Sequence, residues 1–123
     1  MPVLTNADRM VLISAMRGEP IHCGFAELIP ALRAMGYVSA CYVCTETTWD
    51  VRLSAVGERL ARAYVDTRFG ELWTELGVRL AVRAEFMRDV RRRELLLERS
   101  KVAMRRGMDA AVRAYAVIGA AHG

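Results

Sequence analysis

Long apolar runs are missing from this chain. Every uninterrupted apolar stretch falls far short of the roughly 18 residues that a membrane-crossing helix needs, so no membrane partner is expected. The opening stretch MPVLTNADRM has no basic region leading into an apolar core and a small-residue cleavage site. No signal peptide is therefore expected, and the default compartment is cytoplasmic. Cysteine is scarce: Cys23, Cys41 and Cys44 are three in all, an odd number that argues against a disulfide framework. The two histidines, His22 and His122, leave acid–base catalysis little to work with. There is no Gly-rich phosphate loop and no nucleophile elbow. These absences remove the common enzyme signatures, and the chain is expected to be no enzyme and to need no cofactor.

A metal site is not expected either. Cys41 and Cys44 form a CxxC with His22-Cys23 upstream, the right donor types for tetrahedral zinc. A metal knuckle needs a tight turn between its cysteines, however, and Tyr42-Val43 is strand-like. Residues three apart on a strand point to opposite faces. The thiols read more simply as small apolar side chains.

What is present is a globular composition: 123 residues, 54% hydrophobic and 26% charged. That suits one small domain, or one with an extension. The net charge of +4 is unevenly placed. Residues 1–78 hold seven arginines against nine acidic residues, and residues 79–123 hold eleven basic against five acidic residues. The basic character belongs to the last third of the chain, which directs any search for phosphate contacts there.

The pattern along the chain is mainly helical. TNADRMVLISAMRG reads as a first helix, with Thr5 or Asn6 as N-cap, Asp8 in the first turn and Gly18 just past the end. EPIHC reads as a connector. GFAELIPALRAMGYV reads as a second helix over roughly 24–36. Pro30 means that it either starts near Ile29 or is kinked there. YVSACYVC and WDVRL, joined by the polar TETT, read as an antiparallel hairpin with Trp49, Val51 and Leu53 on one face. Ser54 caps a third helix. Its Gly57 costs helix propensity, which makes sense if that turn packs against another backbone.

From Glu71 to Ala121 the pattern stays helical. Leu76, Leu80, Met87, Val90, Leu97, Met104, Met108, Ala111, Tyr115 and Ile118 share one three-and-four spaced seam, interrupted by Arg83, Glu94 and Lys101. Gly77 and Gly107 are its expected weak points. Ser100 is placed to cap a separate last helix, so two helices are favoured over one rod.

The helix end at Gly36-Tyr37-Val38, the return strand ending at Leu53, the cap Ser54 and the Gly57 three residues on together resemble the wing region of winged-helix proteins. The MarR and PadR families of bacterial transcriptional regulators are the nearest likeness. The resemblance covers about residues 8–66. It implies a mainly α fold with a small antiparallel β-hairpin: a winged-helix-like unit at 1–68, followed by C-terminal amphipathic helices at 69–123. The chain departs from the family between Gly18 and Gly24, where five residues are too few for a full positioning helix.

The function implied is that of a dimeric DNA-binding transcriptional regulator. Arg33 and Arg52 are the expected DNA-facing residues of the unit. Arg88, Arg91 and Arg92, in the basic run RDVRRRE, are expected to add phosphate contacts, with Asp89 and Arg93 pairing locally. Leu97, Met104, Met108 and Tyr115 are expected at a homodimer interface. The alternative is a winged-helix scaffold used only for binding a protein partner, such as a small phage-type or accessory protein that inhibits a larger complex. The bare non-core face of the candidate reading helix (Ala26, Glu27, Ala31, Arg33 and Ala34) favours that alternative, because base readout wants Arg, Asn, Gln or Lys.

Overall fold

The structure, a computed structural model, describes residues 4–122. The elements run α1 (Asn6–Met16), β1 (Ile21–His22), a 3₁₀ helix (Cys23–Leu28), α2 (Ile29–Ala34), β2 (Val38–Val43), β3 (Thr48–Leu53), α3 (Ala55–Glu85) and α4 (Val90–His122). The described residues group into two compact units. One takes those up to Val65 together with those from Val117 onward, and the other is Asp66–Ala116.

In the first unit α1 starts at a reciprocal cap. The Thr5 hydroxyl accepts from the Asp8 amide at 3.2 Å, and the Thr5 amide donates to the Asp8 carboxylate at 2.9 Å. Thr5 rather than Asn6 is therefore the N-cap. Gly18, at φ +74°, closes the helix as expected.

The segment expected as one helix over 24–36 is divided at Pro30. A 3₁₀ helix occupies Cys23–Leu28, and α2 begins at Ile29 with the proline in its first turn, where its missing N–H leaves no bond unmade. Gly36, at φ +83°, ends α2. The stretch expected as a connector contains β1, which pairs Ile21 with Trp49 and His22 with Thr48. The expected two-stranded hairpin is therefore a three-stranded antiparallel sheet in the order β1-β3-β2.

The core of this unit lies where α1, α2, the sheet and the start of α3 meet. Leu12, Leu32, Leu60 and Val11 are fully buried in it. Val51 is buried, and Trp49 and Leu53 pack beside it, as the alternation of β3 requires. Ile118 and Ala121 of α4 pack against the same core.

The passage from β3 into α3 is a backbone latch. The Ser54 amide donates to the Tyr37 carbonyl at 2.9 Å, and the Ser54 hydroxyl donates to the Gly36 carbonyl at 2.5 Å. That hydroxyl also accepts the Gly57 amide at 3.1 Å, the N-cap bond expected of it. A Cβ on Gly57 would run into the Tyr37 carbonyl oxygen. The glycine is what lets the first turn of α3 lie on the backbone at the end of α2.

The second unit is an antiparallel helical hairpin made from the later part of α3 and most of α4, joined by residues 86–89. Two helices are present, as favoured, but not divided as expected. α3 runs unbroken from Ala55 to Glu85, and Ser100 lies in the middle of α4 instead of capping a separate helix. Ser100 is buried, and its hydroxyl donates to the Gly77 carbonyl across the hairpin at 2.6 Å.

The helices meet on small residues. Gly70, Gly77 and Ala84 of α3 face Ser100, Ala103, Gly107, Ala110 and Ala114 of α4, with Leu96 near the turn. A Cβ on Gly107 would lie 2.8 Å from the Gly70 carbonyl oxygen, and one on Gly77 would lie 3.0 Å from that of Ser100. Gly77 and Gly107 are thus points of close approach within unbroken helices, not weak points. Most of the seam of large apolar residues expected from the heptad spacing is not the contact: Leu76, Leu97, Met108 and Tyr115 are exposed, while Met104, partly exposed, lays its side chain against Gly77.

Candidate nucleic-acid interface

The first candidate surface is built by α2 and the β2–β3 hairpin. α2 is only six residues long, and its exposed positions are Pro30, Ala31, Arg33 and Ala34. Arg33 is in its last turn, where a cation suits the helix dipole. Its charge is felt at Cys41 on β2. The Cys41 thiol is pushed above its ordinary value by burial, and the nearby Arg33 charge opposes that rise while Asp50 adds to it. Burial wins, so Cys41 is held in its protonated form and is no activated thiolate.

On β3, Arg52 is exposed, and its Nε lies 3.3 Å from the Asp50 carboxylate, two residues away on the same face. The backbone around it is pinned by the Ser39 hydroxyl, which donates to the Arg52 carbonyl at 3.1 Å beside a register shift in β2. The hairpin tip is tied by the Thr45 and Thr48 hydroxyls, 2.6 Å apart, and by the Cys44 and Thr45 amides donating to the Thr48 carbonyl. Glu46 is exposed at that tip, and Tyr42 and Val43 are exposed on the strand leading to it. Arg52 is held beside Asp50, while Arg33 acts on Cys41, which pairs with the buried Val51 and packs against the core.

Arg88, Arg91 and Arg92 belong to the second unit, at the turn between α3 and α4. The local pairing expected of Asp89 with Arg93 is replaced by capping. The Asp89 carboxylate accepts the Arg92 amide at 3.2 Å, and Arg93 donates from Nε and a terminal nitrogen to the Met87 carbonyl at 3.1 and 2.6 Å. The difference has a plain cause: α4 starts at Val90, so Asp89 sits where orphan amides need an acceptor, and Arg93 satisfies the Met87 carbonyl in the connecting turn. Among the described residues, Arg88, Arg91 and Arg92 take part in no ion pair. Phe86 beside them is 82% exposed.

Cys23 and Cys44 are exposed and Cys41 is half-buried. Among the described residues no three His, Cys, Asp or Glu side chains cluster as metal ligands. Among the described residues no helix is long and apolar enough to cross a membrane. Two features escaped the sequence reading. One is β1, too short to carry a periodic signal. The other is the cation over an aromatic ring in each unit: Arg9 lies 4.8 Å from the Tyr64 ring centre, and Arg106 lies 5.0 Å from that of Trp73. No protein-family model, no curated protein and no solved structure matches the chain.

Proposed function

We propose that this chain is a dimeric, winged-helix DNA-binding transcriptional regulator. The observation that carries the reading is the element order helix–strand–helix–helix–strand–strand in the first unit, with β1 hydrogen-bonded to β3. In such a unit the 3₁₀ helix takes the place of the positioning helix, α2 is the reading helix and β2–β3 is the wing. Arg33 at the end of α2 and Arg52 on the wing supply the cations that meet phosphate or a guanine edge. Arg88, Arg91 and Arg92 add phosphate contacts from the second unit.

A protein partner is the second reading, and a specific observation favours it. In the first unit six arginines are balanced by six acidic residues, and α2 exposes Ala31, Ala34 and Pro30 around its single cation. A surface of that kind attracts phosphate weakly and suits a protein face better. Replacing Arg33 and Arg52 by Ala separates the two. Under the DNA reading, fluorescence anisotropy gives an affinity for duplex at least tenfold weaker than that of the wild type. An unchanged affinity would rule out docking through α2 and the wing.

A further inference from the structure

The outward side of α4 in the second unit carries charges in an ordered sequence. Arg91, Glu94, Glu98, Lys101, Arg105 and Asp109 follow one another at intervals of three or four, so they form one stripe, and all six are exposed. The stripe lies opposite the side that packs on α3 through Leu96, Ser100, Ala103 and Gly107. Exposed apolar residues border it: Val90, Leu97, Met104 and Met108 along one edge, Leu95 and Val102 along the other.

Counted outward from the Arg99–Ser100 bond, the first charged pair is Glu98 and Lys101, the next is Glu94 and Arg105, and the last is Arg91 and Asp109. Each pair sets an acid against a base. Reversing the helix direction about this point therefore exchanges the sign of every charge in the stripe. Under the same two-fold each apolar border meets itself, with Leu95 two residues out of level with the partner's Val102 and Leu97 two residues out of level with the partner's Met104.

We infer that this stripe is a homodimer interface in which α4 packs antiparallel against α4 of a second copy, with the two-fold axis passing beside Arg99–Ser100. A two-fold interface must be self-complementary, so that what one residue meets is met in return. Here Glu94 faces the partner's Arg105, Glu98 faces the partner's Lys101 and Arg91 faces the partner's Asp109, each contact occurring twice. The contact from Arg91 to Asp109 is about 27 Å long at 1.5 Å per residue.

A parallel pairing would set each charge level with its own copy, which is repulsive at every step. A phosphate backbone would meet three carboxylates on the same stripe, so Arg91 goes to the partner's Asp109 and the phosphate contacts proposed for the second unit fall to Arg88 and Arg92. Within the chain, Glu98 and Lys101 form one exposed ion pair at 3.6 Å, and among the described residues the other four charges have no ion-pair partner. The pairing assigns the exposed Leu97, Met104 and Met108 to the interface border and leaves Tyr115 outside it. It supplies the dimeric half of the reading above with a partner face, and it does not depend on DNA.

The test is sedimentation equilibrium of the full chain without DNA, on the wild type, on E94R/E98K and on K101E/R105E. The wild type is expected to be a dimer at micromolar concentration. Each variant, whose stripe now carries a majority of one sign, is expected to be monomeric with unchanged far-ultraviolet helix content, and an equimolar mixture of the two is expected to dimerise again. A monomeric wild type, variants that stay dimeric, or a mixture that stays monomeric would each overturn the interface. As a second measurement, in a chain with Cys23, Cys41 and Cys44 replaced by Ser, a mixture of Glu94→Cys and Arg105→Cys chains should form a mixed disulfide dimer faster than either forms one alone. Equal rates would also overturn it. Either failure leaves the Arg33 and Arg52 test of DNA binding standing.

Discussion

Substituting Gly57 by Ala isolates the latch that joins β3 to α3. In an ordinary helical turn the change is favourable, by about 1 kcal/mol of helix propensity. Here the new methyl is directed at the Tyr37 carbonyl oxygen, and that oxygen already accepts the Ser54 amide. Both obstacles are backbone, so no side-chain rotation relieves the contact. Forcing a methyl into such a space costs about 3 kcal/mol at the upper end of overpacking, and displacing the Ser54–Tyr37 bond adds about 1 kcal/mol. The balance is a loss of about 3 kcal/mol, opposite in sign to the propensity effect. With a urea dependence of about 2 kcal/mol per M, the midpoint falls by about 1.5 M. Trp49 packs on the core of this unit, so its fluorescence in a Trp73→Phe background reports the unfolding that matters. Gly119→Ala is the control: it also lies in a helix, and its added methyl meets nothing within 4 Å. It should be neutral or stabilising by up to about 1 kcal/mol. A Gly57→Ala protein as stable as the wild type would refute the latch.

Other perturbations test the rest of the fold. Gly107→Ala should destabilise the helical hairpin more than Gly77→Ala, by about 2 against about 1 kcal/mol in chemical denaturation. The methyl at 107 meets the Gly70 carbonyl and Thr74, whereas at 77 the nearest atom is on the flexible Met104 side chain. Ser100→Ala removes the buried bond to the Gly77 carbonyl and should cost about 1–2 kcal/mol, leaving the oligomeric state unchanged. The Cys41 thiol and the Tyr64 hydroxyl are both raised, first by burial, above their ordinary 9.0 and 10.0. Their folded forms hold a proton that the unfolded chain releases first. Stability should therefore be level below pH 9.0 and fall as pH rises through that value and then 10.0, and urea midpoints measured across that range should show the decline. A rise in stability over the same range would contradict the burial of both groups.

Much of the first unit was legible because its signals are local. Thr5, Gly18, Gly36 and Ser54 each act within a turn of their own position, and the alternation in WDVRL fixed which face of β3 is buried. Gly57 was readable as a close approach because nothing local favoured a glycine there. β1 was not readable: two residues carry no period, and its existence depends on pairing with Trp49 and Thr48 far along the chain. The helical hairpin misled for a different reason. Heptad reading selects large apolar residues, but two helices meeting face to face this closely can place only Gly, Ala and Ser between them. The signal was present as Ala63, Gly70, Gly77 and Ala84, small residues every seventh position, of which the last three line the contact. Of the candidate site, Arg33 and Arg52 are both exposed. The acid beside Arg52 is Asp50, two residues away on the same strand and so legible in the alternation of WDVRL; only the folded register brings Asp50 near Cys41.

The central claim is that this fold binds duplex DNA through α2 and the wing. The most direct measurement is fluorescence anisotropy of a labelled random-sequence duplex, titrated with the full chain at low and at near-physiological salt. Micromolar binding that weakens steeply with salt, and that weakens further in the Arg33→Ala, Arg52→Ala double variant, is the predicted result. No binding at low salt would contradict the claim and leave the protein-partner reading in its place.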